Sequence, residues 1–195
     1  MITSLCFASN NAHKLEEIQA LLPPSIKLLS LADIGCHEEL PETQDTLEGN
    51  ARQKADYVRQ HYGLACFADD TGLEVTALDG APGVYSARYA GPQRLAADNV
   101  AKLLHELQGQ ADHSARFRTV ISLALLDGSF HDFEGAVEGV ITEEARGSNG
   151  FGYDPVFEPL EGGGRTMAEM SAAEKNQISH RARATMGLLA YLRNE

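Results

Sequence analysis

Residues 64–78 read LACFADDTGLEVTAL, an apolar run that is interrupted by two acidic residues. Short apolar runs bounded by polar residues and glycine are typical of buried β-strands. We therefore predict a strand over Leu64–Ala68 that ends in Asp69-Asp70, and a second strand over Leu73–Leu78. Because successive strand residues point to opposite faces, only one of the two aspartates can point into a given cleft.

Apolar runs before and after residues 64–78 predict four more strands, at Ile2–Ala8, Ile26–Leu31, Phe117–Leu126 and Phe130–Ile141. Asp127-Gly128, between the last two, is a hairpin signal. Helical spacing of apolar residues predicts a helix after Asn11 that Pro23-Pro24 ends, and further helices over Thr46–His61, over Pro92–Leu107 and at the C-terminus. Asp45 and Glu48 fit a capping box for the second of these helices. This order indicates an α/β protein, with a mixed sheet flanked by helices and a cleft between two lobes.

The chain has 195 residues, which is the length of one domain. It carries 16 Lys plus Arg against 28 Asp plus Glu, so its net charge is -12. Such a chain is poorly suited to non-specific binding of nucleic acids or membrane surfaces, which relies on basic patches. It can still bind a small polyanion through a local basic cluster or a divalent metal ion.

The three cysteines, Cys6, Cys36 and Cys66, are widely spaced and form no CxxC motif. We therefore expect reduced thiols in a cytoplasmic protein. The first residues lack the basic region of a signal peptide, and no run of 18 apolar residues occurs, so we expect a soluble protein. The histidines are scattered and offer no zinc-ligand spacing.

Residues 9–14 read SNNAHK and stand between the first predicted strand and helix. The start of a helix offers backbone N–H groups and positive dipole charge, which suit a phosphate group. Lys14 would add a full charge, and Ser9 and Asn10 would add neutral donors. The alternative is a polar turn that only caps the helix.

Acidic residues at a strand end are common ligands of hard cations, and Mg²⁺ binds few carboxylates together with phosphate oxygens. Asp70 is the candidate at the acidic pair, with Asp69 secondary. Glu42 would supply a second carboxylate if its loop folds over the pair. The alternative is an Asx-type turn with a solvated aspartate.

Residues 147–155 read GSNGFGYDP. Glycines that alternate with aromatic residues allow close backbone approach and ring stacking, which suits a planar purine. The alternative is an aromatic loop that packs on the core. Residues 80–91, GAPGVYSARYAG, have a similar composition, but no chemistry follows from them directly.

Residues 174–181 read EKNQISHR and contain three basic residues, Lys175, His180 and Arg181. One continuous helix would hold Lys175 far around the axis from the other two. If the helix instead starts with Ser179 as N-cap, Lys175 lies in a loop and the three donors can meet at one ligand. We favour this start over a competing one at Ser171. The alternative to a binding role is a solvated basic helix start.

Six segments occur in a fixed order: FASNNAHKLEE (7–17), PET (41–43) with LEGNA (47–51), ADDTGLEV (68–75), GAPGVYSARY (80–89), GFGYDPVF (150–157) and EKNQISHR (174–181). Together they resemble the inosine triphosphate pyrophosphatase family, the dITP/XTP diphosphatases. The resemblance runs from about Ile2 to Leu192, which is essentially the whole chain.

The resemblance implies an elongated mixed sheet with the active site in a cleft between two lobes, in a single domain over residues 1–195. It implies an Mg²⁺-dependent enzyme, usually a homodimer, that hydrolyses XTP, ITP and dITP to the monophosphate and pyrophosphate. Two departures bear on this. Asn10 and Gln44 stand where many members have glycine, which affects the phosphate turn and the pose of Glu42.

The resemblance also implies roles for individual residues. Asp70 is then the proton acceptor and a metal ligand, Glu42 is the second metal-associated carboxylate, and Thr71 contacts the substrate. The triphosphate side is bound by Ser9, Asn10, Asn11, Ala12, His13 and Lys14. The base and sugar side is bound by Phe151, Gly152, Tyr153, Asp154, Lys175, His180 and Arg181.

Two other functions stay open at this point. A related group of pyrophosphatases acts on modified pyrimidine nucleotides and shares the general architecture. A regulatory module would bind a nucleotide without turnover, although the presence of both Asp70 and Lys14 argues against it.

Overall fold

The computed structural model describes residues 4–194. Within that range the strands are Ser4–Phe7 (β1), Lys27–Leu29 (β2), Cys66–Val75 (β3), Ser114–Ala124 (β4), Phe130–Ile141 (β5) and Phe157–Pro159 (β6). The α-helices are Ala12–Leu21 (α1), Leu47–Tyr62 (α2), Ala96–Glu106 (α3), Ala172–Ile178 (α4) and His180–Asn194 (α5). Ile2 and Thr3 of the predicted first strand lie outside the described range.

The strands form one sheet in the order β2-β1-β3-β4-β5-β6. β1 runs parallel to β2 and to β3, whereas β6 runs antiparallel to β5. A tight turn with a left-handed Gly128 (φ 89°) joins β4 to its neighbour β5, as the hairpin signal predicts. The mixed sheet confirms the predicted α/β class, whereas β6 is too short for a sequence pattern to reveal it.

The acidic pair lies inside a strand, so the predicted strand end at Asp69-Asp70 is wrong. β3 continues through both aspartates and Gly72, and a short 3₁₀ helix follows only after the strand ends. Glycine permits this continuation because a β-carbon at Gly72 would lie 2.7 Å from the carbonyl oxygen of Gly83. The parallel pairing of β3 with β1, however, ends at Phe67. The acidic pair therefore lies just past the carboxyl end of β1.

Two helices begin elsewhere than predicted. The cap of α2 is Thr46, whose hydroxyl accepts a first-turn N–H, and not Asp45. α3 begins at Ala96 and not at Pro92, because Arg94 has a left-handed φ of 53° that an α-helix excludes.

Both candidate helix starts near the C-terminus are used. Ser171 caps α4 and forms a capping box with Glu174, while Ser179 has extended backbone and separates α4 from α5. Lys175 therefore lies within α4, and the prediction that it lies in a loop is wrong. The capping box satisfies backbone N–H groups at the start of α4.

The residues group into two compact units. The first comprises Met1–Asp70, Thr119–Gly135 and Arg181–Glu195, and the second comprises Thr71–Arg118 and Ala136–His180. The second unit has an apolar core with members from β3, α3, β4, β6 and the loop before β6, among them Leu73, Leu103, Phe117, Phe157 and Tyr153. No helix within residues 4–194 has the length and apolar character to cross a membrane.

The first unit buries the two faces of its strands in separate clusters. Odd-numbered residues of β1 and β3 pack with side chains of α1 and α5, namely Leu5, Phe7 and Phe67. Even-numbered residues pack with side chains of α2, namely Cys6, Cys66 and Ala68. Within this unit, α1 and α5 therefore lie on one face of the sheet and α2 lies on the other.

Candidate active site

The turn between β1 and α1 is held by local hydrogen bonds. Asn11 caps α1, since its Oδ1 accepts the Lys14 N–H at 3.2 Å, and Ser9 Oγ accepts the Asn11 N–H at 3.2 Å. Asn10, Ala12 and His13 are exposed around this helix start. The positive end of the helix dipole therefore faces solvent, where it can receive a phosphate.

Asp69 is buried and contacts two cationic side chains on its face of the sheet. Its two carboxylate oxygens accept from Lys14 Nζ at 2.9 Å and from Arg181 Nε at 3.2 Å. Burial alone would raise the pKa of the Asp69 carboxyl, but Lys14 and Arg181 outweigh it and hold that pKa well below its ordinary value. Glu17 contacts the same guanidinium group. Asp69 therefore stays ionised and stabilises the structure of this face.

Asp70 faces the other side, toward α2. Its carboxylate accepts from Asn50 Nδ2 at 3.1 Å and lies 3.4 Å from Lys54 Nζ. Burial and the nearby Glu42 raise the pKa of the Asp70 carboxyl above its ordinary value, although Lys54 and Lys14 oppose them. The two neighbours on β3 thus have pKa values that are shifted in opposite directions, which is the pattern of one structural and one reactive carboxylate.

Lys54 holds this arrangement together, and sequence reasoning missed it. Its ammonium group donates to Glu42 Oε1 at 2.7 Å and to the Asp69 carbonyl oxygen at 2.8 Å, besides lying near Asp70. The signal was present in the sequence. Lys54 and Asn50 occupy positions on the same helical stripe as the buried apolar residues of α2. A lysine in an otherwise apolar stripe requires a buried partner.

The loop that carries Glu42 is fixed to α2 despite Gln44. The Gln44 N–H donates to Asn50 Oδ1 at 2.9 Å, and the Thr43 N–H donates to Gln53 Oε1 at 2.9 Å. Asn50 therefore bonds both this loop and Asp70. The loop folds over the acidic residues, which is the condition for Glu42 to act with them.

The carboxylates of Glu42 and Asp70 fit a divalent cation. Both contact one ammonium group, so a positive charge is already stabilised between them. No group of three or more His, Cys, Asp or Glu suitable for a metal occurs within residues 4–194. A site with two carboxylates suits Mg²⁺, which completes its coordination with phosphate oxygens and water.

A second constellation lies in the loop before β6. Asp154 Oδ2 accepts from the Phe151 N–H at 2.8 Å and from Lys175 Nζ at 2.7 Å, and both charged side chains are buried. The Lys175 ammonium lies 4.8 Å from the centroid of the half-buried Phe151 ring. Gly150 is left-handed (φ 74°), and a β-carbon there would collide with Asp154. These contacts fix the conformation of the loop around the half-buried Phe151.

The other predicted base-side residues are more deeply placed. Tyr153 is 5% exposed, and its hydroxyl donates to the Ser86 carbonyl oxygen at 2.8 Å. His180 stacks on Phe117 with ring centroids 4.6 Å apart. Lys175, His180 and Arg181 thus have different partners, since Arg181 contacts Asp69. Thr71 follows Asp70 on β3 and is half-buried, and Gly152 is left-handed with a φ of 63°.

These features describe an α/β protein with an exposed helix start, two carboxylates that contact one lysine and an aromatic loop held by Asp154. A family model described as Ham1 family matches residues 5–191. A dITP/XTP pyrophosphatase of Flavobacterium psychrophilum is 55% identical over 97% of this chain and 99% of that protein. One of Bacillus subtilis is 44% identical over 91% of this chain and 90% of that protein.

Solved structures agree. A HAM1 protein from Coxiella burnetii superimposes with a TM-score of 0.91 at 38% identity and covers all of both chains. A nucleoside-triphosphatase, dITP/XTP pyrophosphatase, from Mycobacterium abscessus gives 0.78 at 42% identity and covers 95% of this chain and 98% of that one. The chain therefore belongs to the Ham1 family, which confirms the resemblance found in its sequence.

Proposed function

We propose that this chain hydrolyses dITP, XTP and ITP to the nucleoside monophosphate and pyrophosphate. Relatives that share about half of its residues are named dITP/XTP pyrophosphatases. The proposal depends on the observation that Asp69 and Asp70 have different partners and oppositely shifted pKa values. Asp69 is held by Lys14 and Arg181, while Asp70 faces Lys54 with a raised pKa. Removing deaminated purines in this way keeps them out of DNA and RNA.

The reaction is an in-line displacement at the α-phosphorus. The oxygen of a water molecule bonds to the α-phosphorus, and the bond from the α-phosphorus to the bridging oxygen breaks. The electron pair of that bond leaves with pyrophosphate. Asp70 orients the water and accepts its proton, and its raised pKa makes it a better base near neutral pH.

We propose that Glu42 and Asp70 hold one Mg²⁺, which neutralises charge on the phosphate oxygens when bound. Lys54 sets the spacing of the two carboxylates. The backbone of α1 at Ala12 and His13, with Ser9, Asn10 and Asn11, binds the phosphate chain, and Lys14 adds a positive charge. Thr71 contacts the substrate beside Asp70.

On the base side, we propose that Phe151 stacks on the purine, since Tyr153 is buried. Gly152 allows close approach, Asp154 holds the loop, and Lys175, His180 and Arg181 supply donors. Donors suit a 6-keto group, and a 6-amino group would leave donors facing donors. Guanine also has a 6-keto group, so its rejection depends on the 2-position.

The test is pyrophosphate release from a panel of nucleotides: dITP, XTP, ITP, dATP, dGTP and dTTP. The proposal expects fast release from the first three. Preferential release from a pyrimidine nucleotide would instead identify a pyrimidine-directed pyrophosphatase. Tight binding of dITP without pyrophosphate release would identify a regulatory module.

We further propose that residues 1–195 act as a single catalytic domain, as a homodimer in the cytoplasm. Three buried free thiols support a reducing compartment. Light scattering during gel filtration tests the dimer, and a monomeric mass at micromolar concentration would contradict it.

A further inference from the structure

The segment over residues 80–91 has no part in the function proposed above, although several hydrogen bonds hold it to its surroundings. It contains a 3₁₀ helix over Gly83–Arg88. Ser86, in the middle of that helix, is 7% exposed. A buried serine in a turn requires hydrogen-bond partners, and those partners show what the turn holds.

Ser86 bonds two elements at once. Its Oγ accepts the Leu73 N–H of β3 at 2.9 Å and donates to the Gly83 carbonyl oxygen at 2.6 Å. Its own carbonyl oxygen accepts the Tyr153 hydroxyl at 2.8 Å. One residue therefore connects β3, two positions after Thr71, with the aromatic loop of residues 147–155.

The rest of the turn is fixed as well. Asn99 of α3 accepts the Ala90 N–H at 2.7 Å and donates to the Ala87 carbonyl oxygen at 3.1 Å. Lys102 of α3 donates to the Tyr89 carbonyl oxygen at 2.9 Å. A turn that is held at both ends acts as a rigid spacer, so a change at Ser86 moves the groups bonded to it.

The hydrogen bond from the Tyr153 hydroxyl to Ser86 positions the aromatic loop. The Tyr153 ring lies in the apolar core, and its hydroxyl is bonded to Ser86. Because Tyr153 is held at both points, the position of the adjacent residue, Asp154, is restricted. The Asp154 carboxylate in turn holds the Phe151 N–H and the Lys175 ammonium. The chain of contacts from β3 to the proposed stacking ring thus passes through Ser86.

We infer that Ser86 is a positioning residue for base recognition, which fixes the aromatic loop to β3 through its hydroxyl and its carbonyl oxygen. The inference rests on the proposed function, because it concerns the base of the same substrate. Ser86 touches no substrate itself, and it acts through Tyr153.

Two variants test this, Ser86→Ala and Tyr153→Phe, each of which removes a hydroxyl and keeps the core filled. We expect the KM for dITP to rise about tenfold in each variant, while kcat changes less than about twofold. The reason is that a shift of the aromatic loop weakens substrate binding and leaves Asp70 in place. The dissociation constant for dIMP, measured by calorimetry, rises in parallel. Ser86→Thr keeps the hydroxyl and restores the KM.

The double variant separates positioning from general loss of stability. If the two hydroxyls act in series along one chain of contacts, combining Ser86→Ala with Tyr153→Phe raises the KM no further than either change alone. Tyr89→Phe is the matched control, because the Tyr89 hydroxyl donates to Glu106 of α3 and not to the aromatic loop. It is expected to lower the melting temperature and leave the KM unchanged.

Unchanged KM and dIMP affinity in the folded Ser86→Ala and Tyr153→Phe variants would overturn the inference, as would an equal rise in Tyr89→Phe. If the wild-type protein binds dIMP but releases no pyrophosphate from dITP, only the proposed activity fails, and the dIMP affinities still decide the role of Ser86. If the wild-type protein does not bind dIMP, both proposals fail.

Discussion

The Lys54 ammonium donates to the Glu42 carboxylate at 2.7 Å, although the two residues lie on different elements. Burial opposes a charged lysine here, yet the nearby carboxylates of Asp70 and Glu42 raise the pKa of Lys54. The lysine therefore stays charged, and its charge limits the repulsion between the two acids.

We predict that Lys54→Met lowers kcat/KM for dITP by about 10²-fold, the scale for losing one electrostatic group of an active site. Because Lys54 lowers the pKa of Asp70, its removal shifts the acid limb of the pH profile to higher pH. Lys27→Met, at an exposed lysine of β2, is the control and leaves both unchanged. An acid limb that stays in place would show that Lys54 does not act on Asp70.

Asp70→Asn removes the proposed base and keeps the shape of the side chain. We expect kcat for dITP to fall by at least about 10²-fold, the lower range for loss of a general base. Near-normal turnover with Mg²⁺ would contradict the role of Asp70. In the wild-type protein, activity falls as the pH drops through the raised pKa of Asp70, because the protonated carboxyl accepts no proton.

The sequence predicted the acidic pair and its division into two faces, because the period of two in a strand depends on local geometry alone. It did not predict that β3 continues through Asp69 and Asp70. Aspartate and glycine usually end strands, and here the close approach of Gly83 to Gly72, which is a tertiary contact, overrides that preference.

On the base side, the sequence interpretation placed Lys175 in a loop, whereas the structure places it in α4. Lys175, His180 and Arg181 contact Asp154, Phe117 and Asp69, respectively, and that the three meet at one ligand stays a prediction. These partners are distant in sequence, so no local pattern reveals them. Lys54 was detectable in principle, since a charged residue within the apolar stripe of α2 is a local signal.

Asp69→Asn should destabilise the protein by about 3–5 kcal/mol at pH 7, because it leaves the half-buried Lys14 and the buried Arg181 with less negative charge. The folded-state pKa of Asp69 is lower than its unfolded value. Its stabilisation is therefore complete above the unfolded pKa and is lost as the pH falls toward the folded pKa.

Melting temperatures of the wild-type protein and of Asp69→Asn check this between pH 7 and pH 2. We expect the gap to be constant from about pH 7 to pH 5 and to shrink below about pH 4. A gap that does not change with pH would mean that packing, and not the charge of Asp69, causes the loss.

Activity should depend strictly on a divalent cation, because the site offers two carboxylates and relies on phosphate oxygens for the remaining ligands. Excess EDTA is expected to abolish pyrophosphate release, and Mg²⁺ or Mn²⁺ to restore it. Full activity in EDTA would refute the metal proposal. We also expect no stoichiometric zinc by elemental analysis of the purified protein, since the described residues contain no cluster of zinc ligands.

The last prediction concerns Arg181, which is buried on the face of Asp69 with its guanidinium Nε 3.2 Å from the Asp69 carboxylate. If Arg181 reads the base, Arg181→Ala should narrow the preference for ITP over ATP by about 1–3 kcal/mol, the scale for an unsatisfied buried group. If it serves the phosphate side, both nucleotides should lose kcat/KM by the same factor. Arg183→Ala, at an exposed arginine of the same helix, is the control and should change neither value. The ratio of kcat/KM for ITP to that for ATP, compared between the wild-type protein and Arg181→Ala, separates the two roles. An unchanged ratio would refute base reading and would assign Arg181 to the network of Asp69 and Lys14.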